Sequence, residues 1–381
     1  MHLAFLTSEY PHQRTTLSAG IGTSIKNIAA ELLKKGWTIS IFVYNQREDD
    51  IFKDSEIEIH LIKQRKYKIA GWYYHRKYLQ NYLNKFIKAN DIDVLEVPDW
   101  TGISAFMKLK CPIVLRLHGS DTYFCSLENR KQKRKNYLFE YMAVKNANTI
   151  LSVSHFTANK TKELFNIKKP INVIPNSLNL DNFKLSKSSL DHNRLLYFGS
   201  IIRKKGVIEL AHIFNIINQN NPDCILVIAG KDSKDILTGR STKDLMREIL
   251  SEGANEKTKW LGQLPYENVK TEISKATVIS LPSFAEAFPM TWIESMAMEK
   301  AIVTSNIGWA KEIIDDGITG FTVNPKNHKD FSEKIELLFK NDKLRYQMGK
   351  MARRKVIEHF SSKIIANKYD NFLSQIIHEH K

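Results

Sequence analysis

Two glutamates, Glu286 and Glu294, bracket the apolar knot Ala287-Phe288-Pro289-Met290 within the stretch SLPSFAEAFPMTWIESMAMEK. Pro289 fixes its own φ and disfavours helical backbone at Phe288, so the spacing predicts a helix from Pro289 to about Glu299. Glu286 then lies in a loop and Glu294 inside the helix, roughly 7 Å of rise beyond the proline. Both carboxylates can border one cavity above the helix N-terminus, into which the N–H groups of Met290, Thr291 and Trp292 would point. Such an end attracts anions, phosphate above all. The pattern suits a phosphate seat flanked by two acceptors for sugar hydroxyls; the plainer alternative is a helix-start charge and a solvated glutamate.

Three further groups fall where apolar, strand-like runs end. After LAFLT, Gly20 and Gly22 precede a helix capped by Thr23 or Ser24, and small residues there let backbone N–H groups approach a phosphate. A simple turn explains them equally, because Ala19-Gly20-Ile21-Gly22 is not GxGxxG. His118, at the end of PIVLRLHG, can donate to a sugar hydroxyl, move a proton, or serve the fold alone. After LLYFGS, Arg203, Lys204 and Lys205 stand just before a helix, as a diphosphate clamp or as a solvated cap. No Ser-His-Asp order, metal-binding carboxylate cluster or GxxxxGK[ST] sequence stands out.

The elements that must position these residues alternate between strand and helix throughout, the pattern of parallel sheets wrapped by helices. In the first half the strand-like runs are 3–7, 38–44, 93–97, 112–119, 149–154 and 171–176. The polar segment 180–193 reads as a linker, and the pattern restarts at 195–200, 224–230, 259–264, 277–282, 301–305 and 320–323. Two final helices are expected, over 330–360 and 362–380. With 381 residues, two domains of similar size are expected. Ligands of doubly wound sheets bind at the carboxyl ends of the strands, where the residues above fall.

Lys and Arg exceed Asp and Glu by 57 − 41 = 16, which favours an anionic partner. From Lys63 to Lys88 there are eight Lys and Arg and no acid. Trp72, Leu79, Tyr82, Leu83, Phe86 and Ile87 recur there at helical spacing, with His75, Arg76, Lys77, Lys85 and Lys88 toward the other side. This is either a basic amphipathic helix drawn to anionic lipid or a core helix with a solvated face. Cys111, Cys125 and Cys224 lack metal-site spacing and read as buried, reduced thiols. No run reaches the roughly 18 apolar residues of a membrane helix, and Glu9 comes too early for a secretory signal. The expected place is the cytoplasm, with peripheral association at the inner face of the plasma membrane through the basic segment.

Taken together, the chain resembles glycosyltransferase family 4, retaining enzymes of the GT-B fold. The matching residues run in order through nearly the whole chain. They are Glu9-Tyr10-Pro11, Gly20-Ile21-Gly22, His118-Gly119-Ser120-Asp121, Val173-Ile174-Pro175-Asn176, and Gly199 with Lys205-Gly206. Beyond these come Ala229-Gly230, Pro282-Ser283, Glu286 with Glu294-Ser295-Met296-Ala297, and Glu312 with Asp316-Gly317-x-x-Gly320. The resemblance implies two Rossmann-like, doubly wound parallel-sheet domains facing a central cleft. Residues 1–185 would bind the acceptor, residues 190–362 the nucleotide sugar, and 363–381 would form a helix packing back on the first domain.

By the same resemblance the reaction moves a hexosyl group from a nucleotide diphosphate sugar to a glycan or lipid-linked acceptor, in surface polysaccharide or glycolipid synthesis. Glu286 and the backbone after it, with Phe288, Pro289, Met290 and Thr291, would hold the sugar and phosphates. Glu294 would accept from the ribose, Lys205 and Arg203 would face the diphosphate, and His118 would orient the sugar. Gly20 and Gly22 belong to the donor-binding set, and neither metal nor cofactor is implied. Three departures stand out. Gly199-Ser200 replaces the family's Gly-Arg, leaving Arg203 as the candidate for that charge. Glu286-Ala287-Phe288-Pro289 replaces Glu-Gly-Phe-Gly and removes one backbone N–H, and Asn176-Ser177 replaces Asn-Gly. Two rivals remain: a nucleotide-sugar epimerase of the same fold, and a non-enzymatic protein that binds a membrane or an anionic polymer. The second leaves Glu286 and Glu294 unexplained, and nucleic acid is not an expected partner.

Overall fold

The structure is a computed structural model that describes residues 1–16, 20–185 and 193–380. It divides into two compact units, one of Met1–Asn179 with Ser361–Lys381, the other of Leu180–Phe360.

The first unit runs β1 (His2–Thr7), α1 (Gly20–Lys34), β2 (Thr38–Gln46), β3 (Asp50–Asp54), β4 (Ile57–Lys63), α2 (Gly71–Ala89), β5 (Val94–Pro98) and β6 (Ile113–Leu117). It continues through α3 (Asp121–Leu127), α4 (Arg134–Asn146), β7 (Thr149–Ser152), α5 (His155–Phe165) and β8 (Ile171–Val173). Its strands lie in the order β3-β4-β2-β1-β5-β6-β7-β8, all parallel except β3, which is antiparallel to β4. Every residue of β1, β5 and β6 is buried, because helices cover both faces of a parallel sheet and the strand must be apolar throughout. The β3–β4 hairpin lies outside the expected strands. Its outer strand, DIFKD, is half-exposed and charged, as suits a strand that must not pair further.

The second unit runs β9 (Arg194–Phe198), α6 (Val207–Asn220), β10 (Ile225–Ala229), α7 (Thr242–Ile249), α8 (Glu252–Glu256), β11 (Thr258–Gly262), α9 (Tyr266–Lys275) and β12 (Val278–Leu281). After them come α10 (Met290–Ala297), β13 (Ile302–Ser305), α11 (Ala310–Ile313), β14 (Phe321–Val323), α12 (His328–Lys340) and α13 (Asp342–His359). Its sheet is parallel in the order β11-β10-β9-β12-β13-β14. The single helix expected over 330–360 is two, because the Asn341 side chain accepts from Leu344 N at 2.9 Å and starts a new helix. Part of the expected linker, residues 186–192, lies outside the described residues; Leu180–Asn182 form a short 3-10 turn.

The final helix, α14 (Ser362–His380), belongs to the first unit, where Ile365, Ala366, Tyr369 and Leu373 share a core with Ile25, Ile28 and Leu32 of α1. Tyr369 also donates to Glu96 at 3.0 Å and accepts from Arg116, tying α14 to the sheet.

One sequence expectation fails in α2. Its buried residues are His75, Arg76, Leu79, Leu83 and Ile87, so His75 and Arg76 leave the solvated basic face. Arg76 is held because its guanidinium finds carbonyl partners, Thr101 at 3.0 Å and Trp72 at 2.9 Å, and lies over the Phe139 ring. Lys77 donates to Phe106 O at 2.6 Å, which leaves Lys85 and Lys88 as the exposed cations of the expected stripe. Among the described residues no helix is long and apolar enough to cross a membrane. Cys125 and Cys224 are buried, Cys111 half-buried, and all three are free.

Glycine is required at one point of the second unit in particular. Gly206 has φ +71°, and a Cβ there would lie 1.9 Å from Pro282 O. Gly239 has the same φ but nothing within 4 Å, so the pair separates backbone strain from collision. Gly239→Ala should cost about 1 kcal/mol, and Gly206→Ala about 1–3 kcal/mol more, read from urea denaturation. Equal losses would show that the approach to Pro282 relaxes without cost.

Candidate functional site

Strand order in the second sheet reverses between β9 and β12, and the loops leaving their carboxyl ends meet. The turn after β9 carries Arg203, Lys204 and Lys205; the loop after β12 carries Pro282 to Pro289. Two backbone bonds join them, Phe284 N to Lys204 O at 2.8 Å and Ala285 N to Lys204 O at 3.3 Å. The result is an ion pair between Lys205 Nζ and Glu286 Oε1, both largely buried.

Glu294 lies one turn into α10 and is 6% exposed. Its Oε1 accepts from the Tyr266 hydroxyl at 2.9 Å. Burial pushes its carboxyl up to about 7, against the opposing pull of Tyr266 and of Lys205. Phe288 and Ala287 are buried, and α10 starts after Pro289 with no side-chain cap. Trp292 N is already bonded to Pro289 O at 3.2 Å. Among the described residues that leaves the N–H groups of Met290 and Thr291, two donors where the sequence suggested three. The helix also ends at Ala297, two residues before the expected Glu299.

Arg203 differs from expectation. It forms a two-point pair with Asp235, at 2.7 and 3.1 Å, and holds that carboxyl down to about 2. Asp235 also accepts from Thr238 N and Oγ1 at 3.0 and 2.9 Å. The guanidinium therefore braces the loop after β10, and reaches an anion only by sharing.

In the first unit, Gly22 N in the first turn of α1 donates to Glu9 Oε1 at 2.9 Å, so its N–H serves a buried carboxylate that follows β1. A Cβ at Gly22 would lie 2.8 Å from Glu9 O, which explains the small residue by packing. Gly20 opens α1 with open space about it. His118 is half-buried at the end of β6, and burial and then Arg116 hold its imidazole in the neutral form. Two acids missed by the sequence reading hold the backbone from His118 to Thr122 in place. Asp99 accepts from His118 N at 3.0 Å, and burial pushes its carboxyl up to about 7. Glu140 accepts from Asp121 N at 2.9 Å and Thr122 N at 3.0 Å, fixing the start of α3. An acid ending the apolar run DVLEVP was the available signal for Asp99; none marked Glu140 or Tyr266. The triplet Asp91-Ile92-Asp93 is an Asp-x-Asp at the amino end of β5, where Asp93 accepts from His2 N at 2.8 Å. That edge is opposite to the one bearing the residues above.

Comparison with known proteins decides the family. Residues 181–355 match the family described as Glycosyl transferases group 1, and residues 18–182 match Glycosyltransferase Family 4. The chain belongs to glycosyltransferase family 4. An uncharacterized glycosyltransferase of Methanocaldococcus jannaschii is 29% identical over 64% of this chain and 62% of its own length. A Campylobacter jejuni alpha-1,4-N-acetyl-D-galactosaminyltransferase, whose name gives a diphospho-undecaprenol-linked saccharide, is 24% identical over 89% of this chain and 91% of its own. Among solved structures, sucrose-phosphate synthase of Thermosynechococcus elongatus has a TM-score of 0.80 at 15% identity, covering 99% of both chains. Anabaena HepE in complex with UDP and glucose has a TM-score of 0.72 at 16% identity, covering 98% of this chain and 99% of that one. These likenesses establish the GT-B fold for this family 4 chain.

The raised carboxyl of Glu294 makes a stability prediction. Its folded pKa lies above the unfolded one, so the contribution is full below about 4.5 and is lost as pH rises through about 7. Glu294→Gln removes the titrating group. Between pH 4.5 and 7.5 the variant should therefore gain on wild type by on the order of 3 kcal/mol in urea denaturation. A difference independent of pH would contradict the buried, titrating carboxyl.

Proposed function

We propose that this glycosyltransferase moves a hexosyl group from a nucleoside diphosphate sugar to a hydroxyl of a glycan or lipid-linked acceptor, with retention of anomeric configuration. The observation that carries this reading is the meeting of Lys205, Glu286 and the uncapped start of α10 at the switch point of the second sheet. Without a ligand, Lys205 and Glu286 neutralise one another. An arriving diphosphate takes Lys205 and the N–H groups of Met290 and Thr291, and Glu286 is released to accept from hydroxyls of the transferred sugar. As the bond to the diphosphate breaks, negative charge grows on the leaving oxygen, where preorganised donors act most strongly. Glu294 with Tyr266 beside it takes the ribose, and His118 orients the sugar as the family resemblance implies. Neither a metal nor an enzyme nucleophile is invoked, and the leaving phosphate receives the acceptor's proton.

The solved Anabaena relative is described with UDP and glucose, and the Campylobacter relative is named for a lipid diphosphate acceptor. Both names favour a nucleotide donor and a membrane-borne acceptor here. Lys85, Lys88 and Lys110 line one surface depression of the first unit, a cationic face suited to the cytoplasmic side of an anionic bilayer.

Two experiments test the donor seat. Lys205→Ala should lose turnover at saturating donor on the order of a hundredfold or more with the fold intact, since it removes a charge that acts on the departing group. Near-wild-type turnover would remove Lys205 from the reaction. A carboxylate accepting ribose hydroxyls contributes about 1.5–3 kcal/mol per bond, so Glu294→Gln should weaken nucleoside diphosphate binding at least tenfold. Calorimetry should show wild type preferring the nucleoside diphosphate over its 2′,3′-dideoxy analogue, with most of that preference gone in the variant. A variant that keeps the full preference would place the ribose elsewhere.

A further inference from the structure

The carboxyl ends of β1, β2, β4 and β5 surround a cavity of about 740 Å³ inside the first unit. Ligands of open parallel sheets bind at that edge, and the volume is that of a small-molecule site. Its wall includes Arg65, Lys66 and Arg76 and, among the described residues, no carboxylate. Trp72 and Trp100 also line it and keep 38% and 40% of their surface exposed. The negative face of an indole attracts the weakly positive C–H hydrogens of a pyranose ring, and the ring is apolar enough to gain from burial.

Helix α2 begins at this cavity. It starts from a left-handed Ala70 (φ 48°, ψ 35°), has no side-chain cap and carries no acid in its first turn. Tyr73 and Tyr74 donate back to Ala70 O, so among the described residues the unspent donors are those of Gly71 and Trp72, both in the wall. One turn further, His75 lines the same wall at 6% exposure, and neither of its ring nitrogens has a hydrogen-bond partner among the described residues. A buried polar ring left unsatisfied is costly, and a ligand that supplies partners recovers that cost. Of the cations, Arg76 is engaged with carbonyls and Arg65 with Asp49 at 2.5 Å. Lys66 is exposed and has no ion-pair partner among the described residues.

We propose that this cavity is the acceptor subsite and that the acceptor is a phosphorylated saccharide. Its phosphate sits at the start of α2 beside His75 and Lys66, and its sugar ring lies against Trp72 and Trp100. The inference rests on the transferase reading above and adds to it the chemical class of the acceptor. The same chemistry is offered by a free sugar phosphate and by a saccharide on a lipid diphosphate.

The test is calorimetry on the full chain without donor. The probes are a panel of hexose and hexosamine 1-phosphates, the unphosphorylated sugars, inorganic phosphate, and a short-chain polyprenyl diphosphate N-acetylglucosamine. At least one phosphorylated saccharide should bind ten times more tightly than its neutral sugar and than inorganic phosphate. Whether the free or the lipid-linked form is tighter identifies the source. Lys66→Glu, an exposed change, should weaken that binding at least tenfold, and Trp100→Ala should weaken it while leaving inorganic phosphate unaffected. Equal affinity for neutral and phosphorylated sugars, or unchanged affinity in Lys66→Glu, overturns the proposal. Nucleoside diphosphate binding is measured in parallel on both proteins, so a failed acceptor class with intact nucleotide binding is distinguished from a failed transferase reading.

Discussion

The approach of Gly206 to the Pro282 carbonyl is the constraint on which the second unit's site depends. With no room for a Cβ, the turn after β9 lies directly on the loop after β12, and Lys204 O accepts two N–H groups from that loop. Only then does Lys205 meet Glu286. A second contact of the same kind stands beside it, since a Cβ at Gly230 would lie 1.8 Å from Gly199 O. The first contact falls where the strand order reverses and the second between the neighbouring loops after β9 and β10, so sheet topology and glycine placement together decide which side chains face one another. Proline at 289 then starts α10 and sets Glu294 a turn away.

In each unit the acids near the strand ends are individually held. Glu294 has Tyr266, Asp235 has Arg203, Asp99 has the His118 N–H, and Glu9 has Gly22. The energetic consequence is visible in Glu294 and Asp99, whose burial outweighs their partners and raises both carboxyls to about 7.

Much of this was legible in the sequence where the cause is local. Apart from β3 and β4, the apolar runs marked the strands of both sheets, Pro289 marked the start of α10 to within one residue, and the spacing of Glu286 and Glu294 suggested one site. What was not legible depends on partners distant in the chain. Arg203 finds Asp235 across 32 residues and Tyr266 finds Glu294 across 28, and no local pattern announces either pair. Arg76 reads as a solvated cation by periodicity, yet carbonyls of the 101–102 segment and the face of Phe139 make its burial affordable. The edge strand β3 was missed because an exposed edge needs no apolar alternation, and DIFKD shows little, whereas IEIHLIK of β4 is mostly buried and its apolar residues were an available signal.

The central claim is that the turn at 203–206 and the loop and helix at 282–297 seat the nucleotide sugar. Hydrogen–deuterium exchange of the full chain, with and without a nucleoside diphosphate sugar that supports transfer, tests it most directly. The account predicts slower exchange in peptides covering 199–207 and 284–297, with the amides of Met290 and Thr291 among those protected. A donor that supports transfer while leaving both segments unchanged would contradict it.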